Sequence, residues 1–184
     1  FETEKEIFWA SGASLFIRAE LFHQIGGFDG EYFAHMEEID LCWRLKRAGF
    51  KVMYYPDAEI YHVGGGTLDY QSPNKTYLNF RNSLFTILKN EKKRKLLWII
   101  PLRLVLDGIA GMMFLVKGQP AHVKAIVKAH WNFFPKIKYL LDRRKYFTEF
   151  VQKISVGRPN RNGIVKKSVI WQYYVMGKKT FKEL

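Results

Sequence analysis

Met36-Glu37-Glu38-Ile39-Asp40-Leu41-Cys42-Trp43-Arg44 is the stretch on which the reading of this chain turns. Three carboxylates fall within four positions, directly after the aromatic pair Tyr32-Phe33. Ile39, Cys42 and Trp43 share one helical face, with Leu41, Leu45 and Ala48 alongside. Arg44, Lys46 and Arg47 load the C-terminal half and Gly49 closes it, so the pattern predicts a helix over Glu37 to Ala48. A helix N-terminus favours negative charge through its free N–H groups and its dipole, and capping alone accounts for an acidic cluster at such a place. At 3.6 residues per turn Glu38 and Asp40 stand about 200° apart, which gives them different roles. One can face a cleft while the other caps the helix or pairs with a basic side chain.

Outward from this helix the punctuation is regular. Upstream, Ile7 to Arg18 reads as a strand, a tight bend at Ser11-Gly12-Ala13-Ser14 and another strand. Gly12 serves either as that bend or as a point where backbone approaches a ligand closely. Arg18 to Ile25 predicts a short helix stopped by Gly26-Gly27, and Phe28-Asp29-Gly30-Glu31 is turn chemistry. Downstream, Lys51 to Tyr55 and Ala58 to His62 read as strands, separated by Pro56-Asp57 and followed by Gly64-Gly65-Gly66. Ser72-Pro73 opens a helix that runs to about Lys89.

Read together, Ser11-Gly12-Ala13, Gly26-Gly27-Phe28-Asp29, Phe33, Glu37 to Arg44, Arg47-Ala48-Gly49-Phe50, Tyr55-Pro56 and His62 to Gly66 resemble the C-terminal half of the catalytic domain of family 2 glycosyltransferases. The rhamnosyltransferase-like branch is nearest, and the resemblance covers about residues 8 to 90. Each motif alone is weak; their order and spacing make the set specific. The resemblance implies an α/β fold, part of the sandwich around a mixed sheet known as GT-A. It also implies transfer of a sugar from a nucleotide-sugar donor to a glycan or lipid-linked acceptor, with inversion at the anomeric carbon, in surface polysaccharide synthesis.

The family pattern has Glu-Asp where this chain has Glu37-Glu38, so the role of catalytic base falls on Glu38, with Glu37 and Asp40 as charged neighbours. The resemblance places Trp9, Gly12 and Asp29 on the acceptor side. Trp9 could stack on a sugar face or serve as core. Arg81, in Tyr77-Leu78-Asn79-Phe80-Arg81-Asn82, reads either as a partner for a donor phosphate or as one half of a surface ion pair. His62 reads either as a strand-end histidine or as a contact for a metal or diphosphate. A divalent cation, Mg or Mn, is the implied cofactor, bound mainly by a nucleotide-binding half that the family carries ahead of this region. Phe1 falls inside the family pattern, so the chain reads as a fragment, inactive by itself.

Composition sets the outer bounds. The chain has 184 residues, a net charge of +13 and one cysteine, Cys42, so it holds no internal disulfide. Cys42 reads as core, since no histidine is arranged beside it in the pattern. Residues 1–88 carry 8 basic and 12 acidic side chains, whereas residues 89–184 carry 22 and 5. This split divides the chain into residues 1–90, the transferase segment, and 91–184, a basic and mainly helical extension, and suggests different partners for the two. Leu96 to Val116 is mostly apolar over a length suited to a membrane span, but Pro101, Arg103 and Asp107 favour a helix lying in the interface or packed on the domain. Arg103 and Asp107, four apart, can pair on one helix face. Ala121 to Lys145 interleaves aromatics with lysines and arginines, as interface segments do. The expected partner is an anionic membrane surface, at the cytoplasmic face of the inner membrane. No nucleic acid is expected, because no nucleic-acid, P-loop, zinc or dinucleotide signature occurs. The competing reading is a non-catalytic basic membrane-binding module or a pseudoenzyme.

Overall fold

The computed structural model describes residues 2–62, 72–165, 172, 176–178 and 180. Gly64-Gly65-Gly66 and the tail segment Val169 to Val175, apart from Gln172, lie outside them. The elements, in order, are β1 (Lys5–Ile7), α1 (Ala19–Gln24), α2 (Glu37–Arg47), β2 (Val52–Tyr54), α3 (Pro73–Asn90), α4 (Lys93–Val116), α5 (Pro120–Phe133) and α6 (Ile137–Lys153). Single 3-10 turns occupy Gly12–Ser14, Gly30–Tyr32 and Phe134–Lys136.

The helices form where the pattern places them, and local chemistry explains their ends. Ser72 caps α3, its hydroxyl accepting from the Asn74 N–H, with Pro73 at the first position. Gly49 follows α2 at φ 95°, a conformation that only glycine adopts without strain; a β-carbon there would also meet the Gly157 backbone at 3.2 Å. The basic aromatic stretch after residue 120 is two helices, not one: Pro135 interrupts the hydrogen-bond ladder and a 3-10 turn joins α5 to α6. Sheet is scarcer than the pattern suggests. The α/β expectation is met among the described residues by one antiparallel ribbon, β1 on β2, with Glu6 opposite Met53 and Ile7 opposite Val52. Ser11 to Ser14 is a capped 3-10 turn, and Ala58 to His62 has no strand partner.

Two apolar clusters carry the packing. Tyr32, Leu84, Phe85, Leu88, Phe133 and Leu140 form one, joining the turn before α2 to α3, α5 and α6. Ile25, Leu41, Leu45, Ala48 and Val151 form the other, between α1, α2 and α6. The boundary drawn at residue 90 is therefore not a packing boundary: α3 packs most extensively on α5, and α2 and α3 both pack on α6.

Between the clusters lies a charged centre. Asp40 is fully buried and meets Arg44 Nε at 2.9 Å, Lys89 Nζ at 3.0 Å, Asn90 Nδ2 at 2.6 Å and the Tyr32 hydroxyl at 3.2 Å. Asp29 pairs with the same Lys89 at 2.7 Å and with Arg143 of α6 at 2.8 Å. Arg44 also donates to the carbonyls of Ile25 and Gly27, at 2.7 and 2.6 Å, and stacks over the Phe147 ring. Removing one partner of a buried ion pair leaves an uncompensated charge and costs about 3–5 kcal/mol. That is a large share of the roughly 5–15 kcal/mol that holds a domain folded. Asp40→Ala is expected to shift the urea midpoint of the chain steeply downward, by an amount equivalent to about 3–5 kcal/mol. A loss within the few tenths usual for surface sites would show the network to be dispensable.

Candidate functional site

Three non-glycine residues in the loop ahead of α2 adopt left-handed backbone: Phe33 (φ 64°), His35 (φ 67°) and Met36 (φ 75°). Such conformations cost energy and persist only where the surroundings impose them. Here α3 imposes them. Asn82 is buried, and its side-chain amide donates to the carbonyls of Tyr32, Ala34 and His35 at 3.0, 2.8 and 2.8 Å. Its neighbour Arg81 donates to the carbonyls of Glu31 and Tyr32 at 3.3 and 3.1 Å. Met36 enters α2 with no capping side chain.

The loop so held delivers a cluster of unsatisfied polar atoms. Glu37 Oε2, Glu38 Oε2 and His35 Nε2 are buried and have no hydrogen-bond partner among the described residues. Buried polar atoms are satisfied in the great majority of cases, and a run of orphans on adjacent residues marks a place where another molecule belongs. Burial pushes the Glu38 carboxyl above its ordinary range; the N–H groups of Glu38 and Met36 pull the other way, and the Glu37 charge adds to the rise. Burial and the nearby Lys75 hold His35 below its ordinary range, against Glu37, so the imidazole is neutral at pH 7.

Gly12 stands directly opposite: a β-carbon placed on it would lie 4.0 Å from the Glu38 β-carbon. The segment carrying it is tied to α2 one turn further on, where the Cys42 thiol meets the Ala10 backbone N–H. Trp9, 42% exposed, lines the groove of about 760 Å³ that runs along this side past Ser11 and Cys42. Glu38 and Gly12 thus face each other, and Trp9 lines a groove that begins at the neighbouring Ser11 and does not itself include Glu37, Glu38 or Gly12. Cys42 is buried, with its thiol pushed up by desolvation, and is core.

Other expected site residues serve differently. Asp40, named with the catalytic acids, is wholly committed to Arg44, Lys89, Asn90 and Tyr32; its helical offset from Glu38 turns it into the core. Asp29, expected on the acceptor side, is 2% exposed and held by Lys89 and Arg143, which keep its carboxyl below the ordinary range despite burial. Arg81, expected at a donor phosphate, spends its guanidinium on loop carbonyls, the Asn82 amide oxygen and the Tyr77 hydroxyl. His62 is exposed, and no group of three His, Cys, Asp or Glu that could hold a metal occurs among the described residues. These residues do not make a divalent-cation site. His35 and Asn82 were not legible as site residues. Asn82 stands in a recognised segment, yet its value depends on a loop conformation that no spacing reveals.

Residues 2–92 match the family described as Glycosyltransferase like family 2. An N-acetylglucosaminyl-diphospho-decaprenol L-rhamnosyltransferase of Mycobacterium tuberculosis is 45% identical over 60 residues, 33% of this chain and 20% of the relative. Rhamnosyltransferase WbbL of Escherichia coli is 39% identical over 54 residues, 29% of this chain and 20% of that protein. No solved structure matches the chain. The Glu37–Glu38 loop and its α3 clamp thus lie within a segment, residues 2–92, that matches the family 2 glycosyltransferases and is similar to rhamnosyltransferases. It spans about a fifth of the length of the curated relatives it matches.

A carboxyl whose folded-state pKa is raised gives stability that is present below the ordinary glutamate range and is lost as pH rises through the raised value. Glu38→Gln removes this loss. The difference in Tm between variant and wild type is expected to be more favourable to the variant at pH 7 than at pH 3, by circular dichroism. A difference independent of pH would contradict the desolvation of Glu38.

Proposed function

We propose that this chain is the acceptor-side part of an inverting glycosyltransferase with a GT-A-type catalytic domain, and that Glu38 is its base. The observation that carries the reading is the buried, unpartnered Glu38 oxygen, opposite Gly12 at the head of a loop that α3 holds in strained backbone. Sugar transfer with inversion needs a group that accepts the proton of the attacking hydroxyl, close to that hydroxyl and of matched pKa. Desolvation raises Glu38 toward that match, and Gly12, lacking a side chain, adds no bulk on the side facing Glu38. As the acceptor oxygen bonds to the anomeric carbon, its proton passes to Glu38 and the bond to the nucleoside diphosphate breaks, the electron pair leaving with the diphosphate. Neutral His35, buried beside Glu37, is placed to hydrogen-bond a sugar without adding charge. Trp9 offers an exposed aromatic face to the same acceptor.

The names of the relatives support a deoxyhexose such as rhamnose as the sugar transferred, and a lipid-linked diphospho-sugar as acceptor, in making a cell-envelope polysaccharide. A divalent cation belongs with the donor, outside the described residues, and no step here runs through it. Location at the cytoplasmic face of the inner membrane draws support from α4. It is the one helix among the described residues long and apolar enough to cross a membrane, with most of its apolar window unburied. Leu97, Val105 and Val116 are among its exposed side chains, while the Arg103–Asp107 pair, at 2.6 Å, faces His130 of α5. These exposed apolar side chains, with the Arg103–Asp107 pair turned to α5, support contact of α4 with a membrane.

Glu38→Gln, made in the full-length enzyme, is expected to lower kcat by at least about 10²-fold, the lower end of what a general base contributes, with donor affinity kept. Turnover within a few fold of wild type would remove Glu38 from the role of base.

A further inference from the structure

On the side of α2 away from Glu38 lies a second cavity, of about 640 Å³, which the proposed sugar transfer does not use. Arg47 is nine residues beyond Glu38, which turns it about 180° around the helix and sets it about 13 Å further along the axis. Arg47 of α2 and Arg144 of α6 both border this cavity, with Lys92, Lys95 and Arg161 around them and Glu91 as the acid among its lining.

The two arginines are half-buried and lack a carboxylate partner among the described residues. Arg47 donates to the Thr148 hydroxyl at 2.9 Å and the Asn90 amide oxygen at 3.4 Å, and Arg144 donates to the Leu88 carbonyl at 2.7 Å. A guanidinium has five N–H donors, so each keeps several to spare. Burial holds both below the ordinary arginine range; for Arg47 the charge of Arg144 adds to the fall and Asp40 opposes it, and for Arg144 the charge of Glu91 opposes it. Elsewhere in this chain buried cations are answered by direct ion pairs: Lys46 by Glu6 and Lys89 by Asp29 and Asp40. Here two neighbouring guanidiniums feel acids only at longer range, with no ion pair among the described residues.

A third, independent feature meets them. The N-terminus of α4, a helix of 24 residues, opens on the same cavity at Lys92, and no side chain caps it. Its free N–H groups and dipole attract anions. Glu91 accepts from the Lys92 N–H at 2.7 Å and stands 4.0 Å from Lys95 Nζ, a loose pair that leaves the two guanidiniums without a direct carboxylate contact. Paired guanidiniums and an open helix N-terminus match the tetrahedral oxygens of a phosphate group better than a single carboxylate.

We propose that this cavity is a phosphate-binding site, in which Arg47 and Arg144 clamp the oxygens and the N-terminus of α4, with Lys92 and Lys95, completes the shell. The phosphate can be free in solution or can head an amphiphile. The apolar α4 begins at the site, so a membrane lipid would place its head group here and its chains along that helix.

The full chain tests the idea by calorimetry with inorganic pyrophosphate and by co-sedimentation with vesicles, of phosphatidylcholine alone or with phosphatidylglycerol. Binding of pyrophosphate is expected if the ligand is soluble, and binding confined to phosphatidylglycerol vesicles if it is a lipid head group. In either case Arg47→Gln with Arg144→Gln is expected to weaken binding at least about tenfold, as loss of charge-assisted bonds does. Because both arginines also make internal bonds, Lys95→Glu with Arg161→Glu provides a rim variant whose fold is not at stake, expected to weaken the same binding. Absence of binding to pyrophosphate and to both vesicles overturns the site. So does binding that both variants leave unchanged, which would assign it to the general basic surface.

Discussion

The charged centre of Asp29, Asp40, Arg44, Lys89 and Arg143 is the constraint on which the rest depends. Carrying ions out of water costs several kcal/mol each, and only a complete set of partners repays it. Each member here is met from a different part of the chain: the turn before α2, α2 itself, the end of α3, and α6. The arrangement forms only when all four parts arrive together, so it specifies their relative placement more sharply than apolar contact alone would. Phe147 seals it, lying under both Arg44 and Lys89. A β-carbon on Gly26 would come within 3.2 Å of that ring, and Gly26 has φ 86°, so α1 has to end where it does.

The same centre sorts the acids of α2. Helical geometry turns Asp40 inward onto Arg44, one turn away, and leaves Glu38 on the side of Gly12. Asp40 becomes the anchor that fixes the roll of α2 about its axis. Glu38 is thereby held half-buried, with its Oε2 unpartnered among the described residues, and burial raises its pKa against the pull of two backbone N–H groups. Asp40 thus serves the fold and leaves Glu38 free for the role proposed for it. Asn82 and Arg81 secure the other end, by binding the carbonyls of the strained loop, so the first turn of α2 is clamped from both sides.

Much of this was legible in the sequence, for definable reasons. The periodicity of α2 and α3, the Ser72-Pro73 cap and the Gly49 stop are local signals, and the helices follow them. The i,i+4 pair Arg103–Asp107 was equally readable. What could not be read was long-range. Nothing local marks Asp29 as a partner of Arg143, 114 positions away, or distinguishes Arg81 on a loop carbonyl from Arg81 on a phosphate. The second strand expected after Ser11 is not seen because strand identity depends on a neighbouring strand to bond, and among the described residues β1 and β2 bond each other alone. His35 escaped notice because its importance lies in a φ angle and an unsatisfied nitrogen.

The uneven charge along the chain acquires a different meaning from this packing. Read as sequence, an acidic first half and a basic second half suggested separate partners. In the structure a good part of that charge is internal. Arg143 answers Asp29, Lys136 answers Glu31, and Asn160 and Asn162 join Lys46 around Glu6, whose carboxyl is held down to about 2. The basic segment is thus first a counterpart to the transferase segment, folded onto it through α6. Among the charges left after those pairings, Arg47 and Arg144 stand with the N-terminus of α4 at one end of an exposed apolar helix. Charge left over at the head of an apolar surface is the arrangement that holds an anionic head group. It lies on the far side of α2 from Glu38, so the two sites proposed above would use opposite faces of one helix, and the buried centre around Asp40 sets the angle between them.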